Sequence, residues 1–349
     1  MTMKAKNHRN IPIFIPHLGC PNACVFCNQR SISGKQSFCR EGVEREIKET
    51  LRTIPKDYSV EIAYFGGSFT GIDRELMIYL LDVAKSFTEH HDPMLARVEG
   101  IRMSTRPDYI NEEIMDILAR YPIKTVELGL QSMDDEVLSA SNRGHNALDA
   151  EKACRLIKER GYGLVGQMMI GLPGSCADSE IRTAQKICDM GADAARIYPT
   201  VTFYDTELAC MAERGEYEML SNEEAIMRAK EVLKVFRIRG VECIRIGLCA
   251  SDNLGDASLV KGGANHPALG ELVMGELYFD DMCELVEAQM PHKVTKDKIL
   301  NFCVPQGELS KAIGQRGKNK SRLEEKYKPM IVKIKEANVP NLVLEMTER

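Results

Sequence analysis

Three cysteines near the start of the chain have a spacing that suits an iron–sulfur cluster. Cys20, Cys24 and Cys27 form a C-x3-C-x2-C sequence that directly follows the first apolar run. Three thiolates from one short loop can bind three irons of a [4Fe–4S] cubane, whereas structural clusters normally carry four cysteine ligands. The fourth iron would then be open to a substrate or cofactor. Phe26, between the second and third cysteines, would shield the edge of such a cluster.

Two other interpretations of these cysteines stay open at the level of sequence. A structural zinc ion needs four ligands, and His17 is a candidate for the fourth. The spacing could also arise by chance, because the chain contains twelve cysteines. Nine of them, such as Cys154 and Cys188, lie outside the C-x3-C-x2-C sequence, and we expect them to be small buried hydrophobes.

The segments that must position the cysteines alternate between short apolar runs and longer amphipathic stretches, from residue 11 to about residue 250. Runs such as Ile11–Pro16 and Ser59–Phe65 predict strands, and stretches such as Glu41–Thr53 and Asn222–Ile238 predict helices. This alternation favours an α/β fold of parallel strands covered by helices. Six or more such units predict a full or partial barrel, in which chemistry takes place at the C-terminal ends of the strands.

A second pattern begins near residue 293, after residues 251–265 have lost the periodicity. A strand is predicted at Lys298–Val304, helices at Glu308–Ile313 and Lys318–Tyr327, and two more strands follow. The sequence therefore predicts a barrel domain over residues 1–250, a linker and helical connection over 251–292, and a small α+β domain over 293–349.

Glycines and polar residues recur where the barrel strands are predicted to end. Gly66, Gly67 and Ser68 follow the second strand. Glycines at such a position let another group approach the backbone closely. Later strand ends and the loops beside them contribute further candidate binding residues, namely Ser104, Gln131, Arg143, Gln167, Gly171 and Tyr198.

The cysteine loop and these strand ends, in this order, resemble the signature of the radical S-adenosylmethionine (SAM) superfamily over about residues 11–250. The resemblance implies a partial (β/α) radical SAM barrel with a [4Fe–4S] cluster and SAM as cofactors. Reduction of SAM at the open iron would break a C–S bond and yield a 5′-deoxyadenosyl radical. An external one-electron donor would be a partner, and the protein would supply binding, orientation and exclusion of solvent.

The resemblance also implies how the chain would bind the methionyl part of SAM. Gly66 and Gly67 would meet its amino group. The superfamily often has a glutamate where Ser68 stands, which matters little if backbone carbonyls make the contact. Arg143 would bind the carboxylate through two parallel hydrogen bonds.

For the rest of SAM, the resemblance implies that Ser104, Gln131 and Gln167 contact the ribose and amino-acid parts. Related enzymes often carry aspartate at the position of Gln167. The backbone around Gly171 and Tyr198 would hold the adenine.

Several of these sequences further resemble the catalytic subunit of Elongator, which acts on the wobble uridine of transfer RNA. They are Thr-Arg-Pro-Asp-Tyr at 105–109, Glu-Leu-Gly-Leu-Gln-Ser at 127–132, Asn-Arg-Gly-His at 142–145, Tyr-Pro-Thr at 198–200 and Gly-Glu-Tyr at 215–217. That subunit carries an acetyltransferase domain after its radical SAM domain, and no such pattern follows the barrel here. The resemblance therefore covers the radical domain only, and its carboxymethylation chemistry is not carried over.

The sequence Gly314-Gln315-Arg316-Gly317-Lys318 lies between two predicted short helices and resembles the turn of a KH domain. In that domain the turn clamps the sugar–phosphate backbone of about four nucleotides. Residues 293–335 contain twelve basic and four acidic residues, a net charge of +8 in a chain whose net charge is −5. Such a basic patch suggests a polyanionic partner. A helix-capping glycine beside a solvated basic face, or a KH-like fold used for protein contact, are the alternatives.

These features together predict a radical SAM enzyme that modifies RNA, with transfer RNA as the favoured substrate. One alternative is a radical SAM enzyme acting on a small molecule such as a tetrapyrrole precursor. Another is a non-catalytic RNA-binding protein with a structural or redox-sensing cluster. We expect a soluble cytoplasmic protein with no membrane partner, because no signal peptide and no apolar run of about 18 residues is visible. The sequence predicts no oligomeric state.

Overall fold

The computed structural model describes residues 7–15, 18–20, 24–28, 38–90, 92–248, 254–290 and 298–348. The chain divides into two compact units. The first comprises Met1–Leu220 and Val232–Asn265, and the second comprises Ser221–Glu231 and His266–Arg349. The segment 251–292, predicted as a connection, thus contributes residues to both units.

A parallel seven-stranded sheet forms the centre of the first unit. In sheet order its strands are β1 (His8–Ile15), β2 (Ser59–Gly66), β3 (Arg97–Thr105), β4 (Ile123–Gln131), β5 (Gly163–Ile170), β6 (Ala194–Pro199) and β8 (Glu242–Ile246). A separate antiparallel pair is formed by β7 (Val201–Phe203) and β9 (Val260–Gly263). The predicted α/β fold with a partial (β/α) barrel is confirmed.

Helices lie between successive strands in the chain. Each helix has one apolar stripe, which it buries against the core. They are α1 (Val43–Leu51), α2 (Arg74–Glu89), α3 (Glu112–Leu118), α4 (Asp135–Ala140), α5 (Ala147–Glu159), α6 (Ala177–Asp189), α7 (Glu207–Glu213) and α8 (Asn222–Ile238). Polar side chains cap several of their first turns. Asp73 accepts a hydrogen bond from the Leu76 amide at the start of α2, and Asn111 accepts one from the Ile114 amide at the start of α3. Such caps satisfy amides that the helix leaves without partners.

The strands alternate between a fully buried face and a polar face. On β3, Ile101 and Met103 are completely buried, whereas Arg102 and Ser104 are only half-buried. Helix α2 packs beside β3 and buries Met77. The polar residues therefore remain on the face that the helices leave open, which is where a barrel forms its binding site.

The second unit is a three-stranded sheet with helices against it. Its elements are α9 (Leu269–Gln289), β10 (Lys298–Val304), α10 (Leu309–Ile313), α11 (Lys318–Lys326), β11 (Ile331–Glu336) and β12 (Val343–Glu348). The central strand β10 pairs with β11 in parallel and with β12 in antiparallel orientation. Phe302, Leu323 and Val332 are buried in its core together with Met282 of α9.

Among the described residues, no helix has the length and apolar character needed to cross a membrane.

Candidate active site

Glycines allow the start of the cysteine loop to pack against the end of β2. A Cβ atom added to Gly66 would lie 2.6 Å from the Ile15 carbonyl oxygen, and one added to Gly67 would lie 2.1 Å from the Leu18 carbonyl oxygen. Gly19 has φ +73°, and an added Cβ there would lie 2.2 Å from the backbone of the β2 end. These glycines thus bring two backbone segments together, while the contact of Gly66 and Gly67 with SAM stays a prediction.

Ser68 joins the ends of β2 and β3. Its side chain is 1% exposed, and its hydroxyl lies 2.8 Å from the Thr105 hydroxyl. The Arg106 amide donates a 3.2 Å hydrogen bond to the same oxygen, and Thr70 reaches Thr105 at 2.6 Å. Ser68 therefore has a structural role at the point where the superfamily often has a glutamate.

The three cysteines lie beyond the C-terminal end of β1, with Cys24 buried and Cys20 and Cys27 half-buried. Hydrogen bonds fix the loop on both sides of Val25, whose amide donates to the Ser141 carbonyl at 3.2 Å and whose carbonyl accepts from the Leu208 amide at 2.8 Å.

In the described part of the chain no three His, Cys, Asp or Glu side chains converge closely enough to hold a metal ion. His17, the candidate zinc ligand, lies outside the described residues.

An apolar cluster surrounds the second half of the loop. Its buried members are Cys24, Val25, Phe26, Val137, Leu172 and Leu208. Half-buried Cys27 and Tyr217 pack against it. Phe26 is 9% exposed, and its shielding of a cluster edge stays a prediction.

Arg143 and Gln131 lie side by side over Gly129 at the end of β4. A Cβ atom added to Gly129 would lie 3.0 Å from Gln131 Nε2 and 3.3 Å from Arg143 Nη2. Arg143 Nη2 donates to the Gly129 carbonyl at 2.6 Å, and Nη1 lies 3.3 Å from Cys24 Sγ. Gln131 has φ +67°, a strained conformation of the kind that accumulates at functional sites. The structure thus brings two predicted SAM ligands next to a predicted cluster ligand.

Sequence analysis missed three residues that complete this end of the sheet: Arg106, Asp108 and His145. Arg106 binds Asp108 through two hydrogen bonds of 2.9 and 2.8 Å. His145 Nδ1 lies 3.9 Å from Asp108, and burial together with the charge of Arg143 lowers the pKa of His145 to about 4. All three residues belong to sequences that the Elongator resemblance includes, but no spacing rule marks them as a group.

On the open face of the sheet, a network of charged and polar side chains crosses five strands, β2 to β6. Glu127 is completely buried, and its carboxylate lies 2.9 Å from guanidinium nitrogens of both Arg102 and Arg196. Arg102 continues to Glu61 at 2.7 Å, and Gln167 donates to Glu127 at 2.8 Å. Burial opposes the ionisation of Glu127, but Arg196 and Arg102 outweigh it and lower its pKa.

Three further predicted SAM ligands join this network. Gln167 Nε2 lies 3.3 Å from Ser104 Oγ, and Tyr198 is hydrogen-bonded to Arg196. Ser104, Gln167 and Tyr198 therefore lie on one face of the sheet, on strands β3, β5 and β6. Glu127 lies on β4, between β3 and β5. Their contacts with SAM stay predictions.

Gly171, at the end of β5, is held by two side chains. Its amide donates to Glu180 at 2.7 Å, and its carbonyl accepts a hydrogen bond of 2.8 Å from the Tyr217 hydroxyl. With φ +77°, the position favours glycine, and an added Cβ would lie 2.8 Å from the Leu220 side chain. Tyr217 thus connects the predicted adenine site with the apolar cluster around the cysteine loop.

The predicted basic turn of the second unit is formed between α10 and α11. Gly314 and Gly317 have φ +76° and +78°, and Arg316 between them has φ +55°. Gln315 and Arg316 are exposed, as a turn that binds an external partner requires. Lys318 is also exposed, and its ammonium group lies 3.0 Å from Glu276 of α9.

Asn319 holds this turn through buried hydrogen bonds, a role that the sequence analysis did not predict. It is 2% exposed, and its side-chain amide donates to the carbonyls of Gly275 at 2.6 Å and Ala312 at 3.2 Å. An added Cβ on Gly314 would lie 2.9 Å from Asn319 Cγ. The sequence shows only that a polar residue stands two positions after the second glycine. That this residue is buried can be seen only in the structure.

The donor set around the cysteine loop suits an iron–sulfur cluster. The thiols of Cys20 and Cys24 lie beside two arginines that are 3% and 6% exposed, Arg106 and Arg143. Within the described residues, Arg106 Nη1 and Arg143 Nε are buried without a hydrogen-bond partner. Such N–H groups are donors for an anionic group. Thiolates ligate iron, and cationic donors nearby match the negative charge of a thiolate-bound cluster.

Comparison with known families agrees with this geometry. The model of the radical SAM superfamily matches residues 14–187, and the model of the radical SAM C-terminal domain matches residues 192–278. An uncharacterized protein of Methanocaldococcus jannaschii is 31% identical over 228 residues, which span 62% of this chain and 68% of that protein.

A tRNA uridine(34) acetyltransferase of the same organism is 31% identical over 290 residues, covering 73% of this chain and 52% of the acetyltransferase. This chain thus spans about half the length of that relative. Among solved structures, Elp3 of Methanocaldococcus infernus with an N-terminal deletion has a TM-score of 0.61 at 21% identity, over 80% of this chain and 64% of that one. This likeness shows the fold.

Proposed function

Because the chain belongs to the radical SAM superfamily, we propose that it is an enzyme that reductively cleaves SAM in order to modify RNA, specifically transfer RNA. The observation that carries the first half is the position of buried Arg106 and Arg143 beside Cys20 and Cys24 at the C-terminal edge of the sheet, where Arg106 Nη1 and Arg143 Nε have no hydrogen-bond partner among the described residues. The second half rests on the exposed turn at Gln315 and Arg316 and on the tRNA uridine(34) acetyltransferase among its relatives. We further propose that the protein acts in the cytoplasm.

When bound, a [4Fe–4S] cluster and SAM supply a 5′-deoxyadenosyl radical, as one electron from an external donor breaks the sulfur–C5′ bond and releases methionine. Cys20, Cys24 and Cys27 would hold the cluster. Phe26 and the apolar cluster around it would exclude water from this edge of the site, which also prevents quenching of a reactive intermediate.

The remaining predicted ligands would orient SAM along the strand ends. Arg143 lies next to Cys24 and Gln131 lies beside Arg143, and both would bind the methionyl end. Ser104 and Gln167 would reach the ribose from the open face, and the backbone near Gly171 and Tyr198 would hold the adenine. These residues lie on the neighbouring strands β3 to β6 or in the segments that follow them.

In the second unit, we propose that the turn from Gly314 to Gly317 is KH-like and binds the RNA backbone. Gly317 has open space around it, because an added Cβ would meet no atom within 4 Å, so a phosphate could approach the backbone closely. Gln315 and Arg316 would face the phosphates, and Lys318 would have to exchange Glu276 for one. The net charge of +8 over residues 293–335 favours a polyanion.

The cluster assignment is tested with Cys24→Ala. The anaerobically reconstituted wild type should absorb broadly near about 400 nm from thiolate-to-iron charge transfer. After reduction it should release 5′-deoxyadenosine from SAM, and Cys24→Ala should lose both signals. Cys39→Ala is the matched control, because Cys39 is exposed and lies outside the loop. A wild type that binds only zinc, or a cluster that SAM does not perturb, would contradict the proposal.

The RNA assignment is tested with Arg316→Glu. Binding to transfer RNA at low salt should weaken at least about tenfold, and the salt dependence of binding should fall by about one phosphate contact. Release of 5′-deoxyadenosine should be unchanged. Arg155→Glu on α5 changes the net charge equally. It should bind RNA as the wild type does, because Arg155 is an exposed residue of the first unit and lies outside residues 293–335.

Gly314 is a poorer probe than Arg316, because its substitution would also displace Asn319. No detectable RNA binding by the wild type would favour a small-molecule substrate. The modified nucleosides in transfer RNA from cells with and without the gene would then identify or exclude an RNA product.

A further inference from the structure

Arg106 is a buried cation whose side chain is fixed in one orientation. It is 3% exposed, and its Nε and Nη2 bind both oxygens of Asp108 at 2.9 and 2.8 Å. Nη2 also donates to the Arg143 carbonyl. Two parallel hydrogen bonds to a carboxylate define the plane of a guanidinium. The remaining nitrogen, Nη1, is buried and has no hydrogen-bond partner among the described residues.

Arg106 lies near the cysteine loop. Arg106 is close enough to Cys20 and Cys24 for its charge to act on both thiols. Arg143 reaches the same sulfur of Cys24 at 3.3 Å from the β4 side. Two guanidinium groups therefore approach Cys24 from two different strand ends, those of β3 and β4.

The charges at this edge do not balance. Arg106 is paired with Asp108, whereas no ion pair in the described part of the chain includes Arg143. His145 is neutral at pH 7, since its pKa is lowered to about 4. One buried positive charge is thus left over beside Cys24. An uncompensated buried charge is strongly unfavourable, so the site requires an anionic group.

Reduction of an iron–sulfur cluster adds one negative charge to it. Hydrogen bonds to its sulfur atoms and nearby positive charge stabilise the reduced form and set its reduction potential. A fixed guanidinium is suited to this, because it is always charged and points its N–H groups in one direction.

We propose that Arg106, positioned by Asp108, acts together with Arg143 to raise the reduction potential of the cluster held by Cys20, Cys24 and Cys27. Arg106 stabilises the negative charge that arrives with one electron from the external donor, and no proton is transferred. Asp108 is a positioning residue whose own negative charge partly offsets that of Arg106. The inference rests on the proposed function, because it requires that the cysteines hold a cluster.

The experiment measures the midpoint potential of the reconstituted, full-length protein by redox titration followed by electron paramagnetic resonance. Arg106→Gln removes the positive charge and should shift the potential to more negative values. The ratio of reduced to oxidised cluster at fixed poise should fall at least about tenfold, which is about 59 mV for one electron. Asp108→Asn removes the negative charge and should shift the potential in the opposite direction.

Opposite signs distinguish electrostatic tuning from a purely structural effect, which would damage the site in both variants alike. Arg74→Gln is the control, because Arg74 is exposed and its partner Glu113 lies in solvent. If Arg106→Gln retains no cluster, the sign of the Asp108→Asn shift decides the question. Potentials equal to that of the wild type, or shifted in the same direction in both variants, would overturn the inference. A wild type without a cluster would instead overturn the proposed function.

Discussion

Substitution of Glu127 tests whether the charge network on the open face of the sheet holds the first unit together. In Glu127→Gln the side chain keeps its size but loses its charge. Arg196 then loses its carboxylate partner, and Arg102 keeps only Glu61. Breaking a buried ion pair from one side costs about 3–5 kcal/mol, because the remaining charge is left without compensation.

Hydrogen–deuterium exchange of β4 is the appropriate assay. The chain contains no tryptophan for fluorescence, and two compact units need not unfold in one step. Exchange of buried amides reports the local free energy of opening. A loss of about 3–5 kcal/mol should accelerate exchange about 100- to 5,000-fold.

The pH dependence gives the sign of the effect. The pKa of Glu127 is lowered in the folded chain, so its charge stabilises the fold above the unfolded pKa of about 4.3. This contribution is lost as the pH falls through the lower, folded pKa. The difference between wild type and Glu127→Gln should therefore be largest near pH 7 and shrink below about pH 4.

Glu113→Gln is the matched control, because its ion pair with Arg74 is exposed and should be worth less than about 1 kcal/mol. Our reasoning would be refuted if Glu127→Gln changed the exchange of β4 no more than Glu113→Gln does.

Two further predictions concern single hydrogen bonds. Tyr217→Phe removes the hydroxyl that holds the Gly171 carbonyl and should weaken SAM binding about 2- to 10-fold in equilibrium dialysis, whereas Tyr204→Phe on an exposed ring should not. If the two variants bound SAM with equal affinity, Gly171 would not be part of the SAM site. Asn319→Ala removes two buried hydrogen bonds and should lower the opening free energy of α10, measured by hydrogen exchange, by about 1–3 kcal/mol. Asn301→Ala, which loses one exposed bond, should cost less than about 1 kcal/mol, and a similar cost for both would contradict the role of Asn319.

The elements that follow from periodicity were predicted well. Helix α8 has the predicted bounds Asn222–Ile238, and β10 has the predicted bounds Lys298–Val304. Local patterns determine these elements, since an amphipathic helix and a buried strand differ in their apolar period. Helix α1, at Val43–Leu51, is shorter than the predicted Glu41–Thr53, because Arg40–Gly42 form a 3-10 turn before it. Ends of helices depend on such details of capping and are harder to predict.

The reasons for particular residues were less accessible from the sequence. The contact of Gly66 and Gly67 with SAM stays a prediction, but their packing against the backbone of Ile15 and Leu18 was not predicted. The contact of Lys318 with phosphate also stays a prediction, and its ion pair with Glu276, which precedes it by 42 positions, was not predicted. Neither close backbone approach nor a distant ion pair has a periodic signal in the sequence.

The two charge networks of the first unit differ in a way that separates structure from function. On the open face, two carboxylates and two guanidiniums alternate from Glu61 to Arg196, so the ion pairs compensate one another. At the cysteine loop, two buried guanidiniums face one carboxylate, that of Asp108. A balanced network can be stable by itself, whereas an unbalanced one needs a charge from outside the chain. We therefore assign stability to Glu127 and propose a cofactor-facing role for Arg106.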